Sequence, residues 1–206
     1  MITGEKVDEE QTWIAQAQQG SDEAFTFLVE TYQKPVFNLC YRMLGEADWA
    51  EDAAQESFLR AYKNLHRYDA NRSFATWLLS IAAHYCIDKL RRKKLPTFSL
   101  HDDEGNAREY IPDAGAVLPE KAAIYNDQQQ YIENLLGELS ELDRAAIVLR
   151  YWHDASEVEI AEALDLTVSA VKSRLHRARR ALGDLWEEDP HPSQNMERMP
   201  YGSPAF

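Results

Sequence analysis

Apolar residues recur at three- and four-residue steps over long stretches of the chain, and strand-type alternation is sustained nowhere. After Ser21, this spacing links Phe25, Leu28, Tyr32, Val36, Leu39, Cys40, Met43 and Leu44, which predicts a helix that Pro35 bends or divides. A second helix is predicted from Asp48, whose side chain can cap while Glu51 reaches back. Its inner face carries Ala50, Ala53, Ala54, Phe58, Ala61, Tyr62 and Leu65. A third helix opens near Ser73, turns Phe74, Trp77, Leu78, Ile81, Ala82 and Tyr85 inward, and runs out through a basic end, KLRRKK, to Pro96. The polar loop RYDANR, residues 67–72, separates the last two.

Periodicity stops after 94, where Pro, Gly, Asp and Asn accumulate; helical spacing resumes around Lys121. A break at Leu142-Asp143 is followed by the apolar-rich RAAIVLRYW and then by SEVEIAEAL. The last residues, from Glu187, hold too much Pro and polarity to fold alone. The expected architecture is all-α, with two small helical domains at 21–94 and 125–186. A short segment, 1–20, precedes them, a flexible linker, 95–124, joins them, and a disordered tail, 187–206, follows.

Charge changes this picture at one place. The 206 residues carry a formal net charge of -13, which excludes a protein coated in nucleic-acid-binding surface and requires any such face to be local. Yet TVSAVKSRLHRARRAL, residues 167–182, holds Lys172, Arg174, Arg177, Arg179 and Arg180 without one acid. It follows a short helix that Ser156 and Glu159 can open as a capping box, and Thr167 can cap the next. That is helix-turn-helix spacing. At 100 degrees per residue, Val171, Leu175, Ala178 and Leu182 share one face, so Ser169, Ser173, His176, Arg177 and Arg180 must point the other way, with Lys172 and Arg174 on the flanks. Small residues at the start of a helix let it enter a major groove, and cations beyond them meet phosphates. A solvated basic face on an ordinary amphipathic helix would lack this context.

The first domain offers two further surfaces. The polar side of DWAEDAAQESFLR presents Asp48, Glu51, Asp52, Gln55 and Glu56, which suits a basic partner, although such a face can equally be plain solvent. Tyr68, Phe74, Trp77 and Tyr85 lie beside the polar loop and the basic end, a combination that suits an opened strand because bases stack on rings while the backbone follows charge. Phe74 and Trp77 also share the core face. Cys40 and Cys86 have neither disulfide nor zinc-knuckle spacing and are expected as buried thiols in a cytoplasmic protein. His84, Cys86 and Asp88 stand at steps of two on a helix and cannot converge on one metal ion, and no phosphate-cradling loop or nucleophile–base motif occurs. No catalytic residue, metal or cofactor is expected.

Three stretches together carry a resemblance. DWAEDAAQESFLRAYKNLHRYD, then FATWLLSIAAHYCIDKLRRKK, then LSELDRAAIVLRYWHDASEVEIAEALDLTVSAVKSRLHRARRAL resemble the two modules of bacterial extracytoplasmic-function (group 4) sigma factors, over residues 20–94 and 125–186. The resemblance implies a non-enzymatic transcription initiation factor that binds core RNA polymerase and recognises two promoter elements. It assigns Asp48, Glu51, Asp52, Gln55, Glu56 and Phe58 to the β′ clamp helices of the polymerase. The loop from Tyr68 to Ser73, including Asp69, Asn71 and Arg72, and the following helix, with Trp77, Ser80, His84, Asp88, Lys89, Arg91 and Arg92, fall to the downstream (minus-ten) element. There, relatives melt the duplex and hold a flipped base. Ser169, Ala170, Lys172, Ser173 and Arg177 would read the upstream (minus-thirty-five) element, with Thr167, Arg174, His176 and Arg180 on its backbone.

Two positions depart from the family pattern. His84 stands where Asn is common, so a relative's downstream base preference does not transfer, and Asp165 replaces a frequent Gly in the turn, where Asp tolerates left-handed backbone. The resemblance also implies an anti-sigma protein as a partner. The alternative is a stand-alone helix-turn-helix regulator that needs no polymerase.

Overall fold

The computed structural model describes residues 4–70, 72–94 and 130–188. The linker expected at 95–124 lies outside them, as do Asn71 and residues 189–206 of the expected tail, whereas Glu187 and Glu188, expected in that tail, continue the last helix. Every regular element among the described residues is helical. Helices α1 (Gly4–Gln18), α2 (Asp22–Leu44), α3 (Ala47–Asn64) and α4 (Phe74–Lys94) pack together, with a 3-10 turn, Leu65–Arg67, after α3. A second group comprises α5, described over 130–137, α6 (Glu141–Trp152), α7 (Glu157–Ala163) and α8 (Val168–Glu188).

Several local expectations are met and others are corrected. Helix α1 falls in the segment to which the spacing assigns no helix; its Ile14 and Ala17 are buried, and Trp13 packs against the core with its ring stacked on Phe27. Ser21 caps α2 by accepting from the Ala24 N–H at 3.2 Å. Pro35 does not divide α2, which runs unbroken through it. The lost N–H is offset by burial of Leu28, Val36, Leu39, Cys40 and Met43 on the same helix. The helix ends at Gly45, which sits at φ +77 and donates to the Tyr41 carbonyl at 2.8 Å, a left-handed cap that suits glycine.

Asp48 is not the cap of α3. The helix starts at Ala47 after Glu46, with no side-chain cap bond, so the expected Asp48–Glu51 box does not form. On its inner face Tyr62 is 45% exposed, its hydroxyl donating to Asp22, whereas Ser57 is fully buried and satisfies its hydroxyl on the Ala53 carbonyl at 2.6 Å. Nor is there a break at Leu142-Asp143. It falls at Ser140, which caps α6 by accepting from the Asp143 N–H, because a hydroxyl one turn upstream satisfies the first free donors. Cys40 and Cys86 are buried free thiols, one on α2 and one on α4; a hydrogen bond with Cys86 and then burial push the Cys40 thiol well above its ordinary range.

The two groups of helices pack on each other through α2, α4, α6 and α7. Arg144, on α6, donates to the Met43 carbonyl in the last turn of α2 and to the Gly137 carbonyl at the end of α5, each at 2.6 Å. One guanidinium thus serves carbonyls at two helix ends, where helices leave such acceptors unpaired. Arg42 pairs with Glu133 beside it, its guanidinium carbon also 4.9 Å from the Trp152 ring centre.

Candidate nucleic-acid interface

The C-terminal helix pair is built as its spacing predicts. Ser156 accepts from the Glu159 N–H at 3.2 Å, and the Glu159 carboxylate accepts from the Ser156 N–H at 2.8 Å, closing the capping box that starts α7. Those hydrogen bonds from Ser156 hold the Glu159 carboxyl below the ordinary carboxylate range. The turn passes through Asp165 at φ +53, left-handed as expected. Thr167 then caps α8, accepting from the Ala170 N–H at 3.2 Å. Val171, Leu175 and Ala178 are buried and Leu182 is half-buried, so α8 turns its stripe onto α6 and α7.

The opposite face is open. Thr167, Ser169, Lys172, Ser173, His176, Arg177 and Arg180 are exposed and Ala170 is half-buried. Acids touch three of the cations only loosely, Glu157 at 3.5 Å from Lys172, Asp143 at 4.0 Å from Arg177 and Asp184 at 3.9 Å from Arg180. Arg174 differs from them. It donates to Asp143 at 2.9 Å with its side chain only 23% exposed, so it ties α8 to α6 before it could meet any phosphate.

In the first group the loop and α4 bring the other nucleic-acid candidates together. Arg72 and Ser73 are exposed, Trp77, Ser80 and His84 half-buried. Ser73 caps α4, accepting from the Thr76 N–H at 3.3 Å. Tyr68 is 7% exposed, its ring against Phe74 and Trp77 and its hydroxyl donating to the Arg72 carbonyl, so it shapes the loop from inside instead of offering a stacking face. Asp69 and Asp88 are exposed. Lys89 lies 4.8 Å from the Trp49 ring centre and Lys93 4.2 Å from it, while Arg91 and Arg92 are free of partners among the described residues. Sequence reasoning passed over Gln18, whose amide donates to the Leu65 and Tyr68 carbonyls at 3.0 and 3.1 Å and fastens the loop to α1.

The acidic face of α3 stands apart from both. Asp48, Glu51, Asp52 and Gln55 are exposed, and the three acids have no ion-pair partner among the described residues. Glu56 pairs with Arg60 at 2.8 Å, and Phe58 packs on the core. Beside them Leu59 is 53% exposed, an apolar contribution that composition alone did not single out.

Where the two groups meet, Ser73, Thr76, Leu79, Leu149, His153 and Glu159 are among the residues lining a cavity of about 180 Å³. Burial pushes the His153 imidazole down to about 4, and its Nε2 has no hydrogen-bond partner among the described residues. A neutral buried histidine stabilises this packing above the free-imidazole range near pH 6.5 and ceases to do so as pH falls towards 4, because the unfolded chain takes up the proton first. Unfolding free energy should therefore fall by up to about 3 kcal/mol over that window. His153→Gln should flatten the change, as read from urea midpoints at successive pH values.

No group of three or more His, Cys, Asp or Glu side chains among the described residues is placed to hold a metal ion. None of the described helices is long and apolar enough to cross a membrane.

Family models match two parts of the chain, Sigma-70 region 2 at residues 28–95 and Sigma-70 region 4 at 129–182. The ECF RNA polymerase sigma factor SigW of Bacillus subtilis is 40% identical over 173 residues, spanning 82% of this chain and 92% of its own. The ECF RNA polymerase sigma-E factor of Escherichia coli is 32% identical over 181 residues, 84% and 92% of the two chains. Among solved structures, CnrH in complex with the cytosolic domain of CnrY aligns with a TM-score of 0.64 at 27% identity, covering 88% of this chain and 99% of that one. The sigma factor RpoE of Bartonella quintana, solved with the anti-sigma factor NepR, shares the fold at a TM-score of 0.60 and 20% identity.

Proposed function

Because the chain belongs to the sigma-70 family of RNA polymerase sigma factors, in its extracytoplasmic-function (ECF) branch, we propose that it docks core polymerase through α3 and directs it to promoters through α4 and α8. The observation that carries this reading is the division of charge. An overall acidic chain turns outward in one domain a helix whose Asp48, Glu51 and Asp52 have no ion-pair partner among the described residues, and in the other an open cationic helix-turn-helix face. A duplex binder needs the second surface alone; a factor that bridges polymerase and DNA needs both.

In this reading Asp48, Glu51, Asp52 and Gln55 meet the basic side of the β′ clamp helices, with Leu59 and Phe58 adding apolar contact. Arg72, Ser73, Trp77, Ser80 and His84 handle the downstream element, while Arg91 and Arg92 follow its phosphates. Ser169, Lys172, Ser173 and Arg177 enter the upstream major groove, and Thr167, His176 and Arg180 hold its backbone. Relatives of this kind are initiation factors, not catalysts, and no catalytic group is needed. A protein partner of the anti-sigma class would restrain the factor in the cytoplasm; CnrH, which resembles this chain, was solved in complex with the cytosolic domain of CnrY.

The stand-alone regulator is not favoured, since regions 2 and 4 occur together and in order. Reversing charge on α3, as Glu51→Lys with Asp52→Lys, should weaken capture of core polymerase at least tenfold, because several opposed contacts would become repulsive. Both positions are exposed, so thermal stability should hold. Retention of polymerase by the double variant would remove α3 from the docking surface.

A further inference from the structure

We propose that α1 is a strut that sets downstream-base preference without touching DNA: Gln18 and the Glu10–Tyr32 hydrogen bond fix the loop assigned above to the downstream element. The inference rests on that assignment. Helix α1 precedes residue 28, where the region 2 match begins, and none of its residues is among those assigned to DNA or polymerase.

Glu10, Ile14 and Gln18 stand at steps of four and share one ridge of α1. Buried Ile14 seats the ridge, and the polar side chains reach out on either side of it. The Gln18 amide nitrogen lies 3.0 Å from the Leu65 carbonyl oxygen and 3.1 Å from that of Tyr68. Carbonyls can only accept, so the amide donates one hydrogen to each. These two carbonyls bracket the 3-10 turn Leu65–Arg67, and at Tyr68 the backbone becomes extended, with φ -67 and ψ 130, where the loop begins. Gln18 therefore fixes the point at which the loop leaves the core. It is otherwise exposed, so its loss costs little stability and the effect falls on loop position.

Glu10 holds the loop from below. It accepts from the Tyr32 hydroxyl at 2.9 Å; burial, and then the Glu10 carboxylate, raise that hydroxyl above the ordinary phenol range, so it keeps the proton it donates. The Tyr32 ring centre is 5.4 Å from that of Phe74, Phe74 is 5.4 Å from Tyr68, and Tyr68 is 5.1 Å from Trp77. This aromatic row is the floor of the loop, and the Tyr68 hydroxyl continues it to the Arg72 carbonyl. The loop's own backbone contributes one turn, from the Arg72 N–H to the Asp69 carbonyl at 3.0 Å, while Arg72 and Ser73 are exposed. A recognition site must be held to within about 0.5 Å, so a loop with so little internal bonding depends on the groups that fasten it.

In vitro transcription by core polymerase with the full-length chain, on promoter templates varied base by base, reads downstream and upstream preference separately. A base that is read is preferred about five- to 100-fold, and Gln18→Ala should cut the strongest downstream preference about fivefold. Upstream preference, polymerase capture and melting temperature should hold. Glu10→Ala should act likewise, whereas Glu10→Gln, which removes the same charge but keeps an acceptor for Tyr32, should retain the parent's preference. Equal loss in the two Glu10 variants would overturn the strut, as would a lower melting temperature or an equal loss of upstream preference in Gln18→Ala. Undiminished downstream preference in Gln18→Ala and Glu10→Ala, with loss in Arg72→Ala combined with His84→Ala, would overturn the strut and leave the downstream assignment intact. A downstream preference indifferent to all of these variants would overturn both.

Discussion

Replacing Lys172, Arg177 and Arg180 together by Ala is expected to weaken upstream-element binding by the assembled holoenzyme at least about 100-fold while leaving the fold intact. The three side chains are 62%, 62% and 80% exposed, and their acidic neighbours stand at 3.5 to 4.0 Å, so each ion pair contributes little to stability. In the proposed reading, the same cations would each replace a condensed counterion on DNA. The logarithm of affinity should then fall less steeply with the logarithm of salt, by about 0.9 for each phosphate that is no longer neutralised. Filter binding or anisotropy across a salt series reads both effects. Arg174→Ala should behave differently, because its guanidinium is bonded to Asp143 and its removal loosens α8 from α6. A fall in melting temperature for that variant alone would separate the structural arginine from the three outward-facing cations.

Leu175→Ala is expected to destabilise the second domain by about 3 kcal/mol, since truncating a buried leucine forfeits its transfer free energy and leaves a cavity. Leu175 is 3% exposed and lies between Val171 and Ala178 on the stripe that α8 presses onto α6 and α7. The outward cations keep their places only while that stripe is seated. Urea unfolding should show the effect in a transition assigned to α5–α8, with α1–α4 keeping their own. Arg177→Ala, on the same helix but outward, should shift the same midpoint by less than about 0.5 kcal/mol. Equal destabilisation in the two variants would mean that the helix is not oriented as described.

The helix-turn-helix was legible because local rules and tertiary packing agree there. Ser156 and Glu159 are three residues apart in a loop-to-helix context, and Val171, Leu175 and Ala178 keep one face through the whole helix. The same capping rule misled at Asp48 and Glu51, where the chain enters α3 directly from the Gly45 cap of α2 and the helix is already under way at Ala47. Pro35 reads locally as a break, yet the apolar residues flanking it hold α2 in one piece. Helix α1 escaped notice because its inward positions are few among polar neighbours.

Contacts between the domains were beyond reach for a different reason. Arg144 reads as one more cation in an amphipathic helix, but its value comes from the Met43 carbonyl, a partner 101 positions away in sequence. His84 and Asp165 were each conspicuous as departures from a family pattern, and only the fold brings them together. Periodicity reports which face of a helix is buried; it carries nothing about which distant group lies against it.

The central claim, that this chain makes core polymerase promoter-specific, is tested most directly by adding the purified protein to core RNA polymerase on fragmented DNA from its own host and mapping the 5′ ends of the transcripts. The account predicts discrete start sites that share a downstream and an upstream sequence element and that disappear with the Lys172, Arg177 and Arg180 triple substitution. Transcripts no more specific than those of core enzyme alone, or discrete starts indifferent to that substitution, would contradict it.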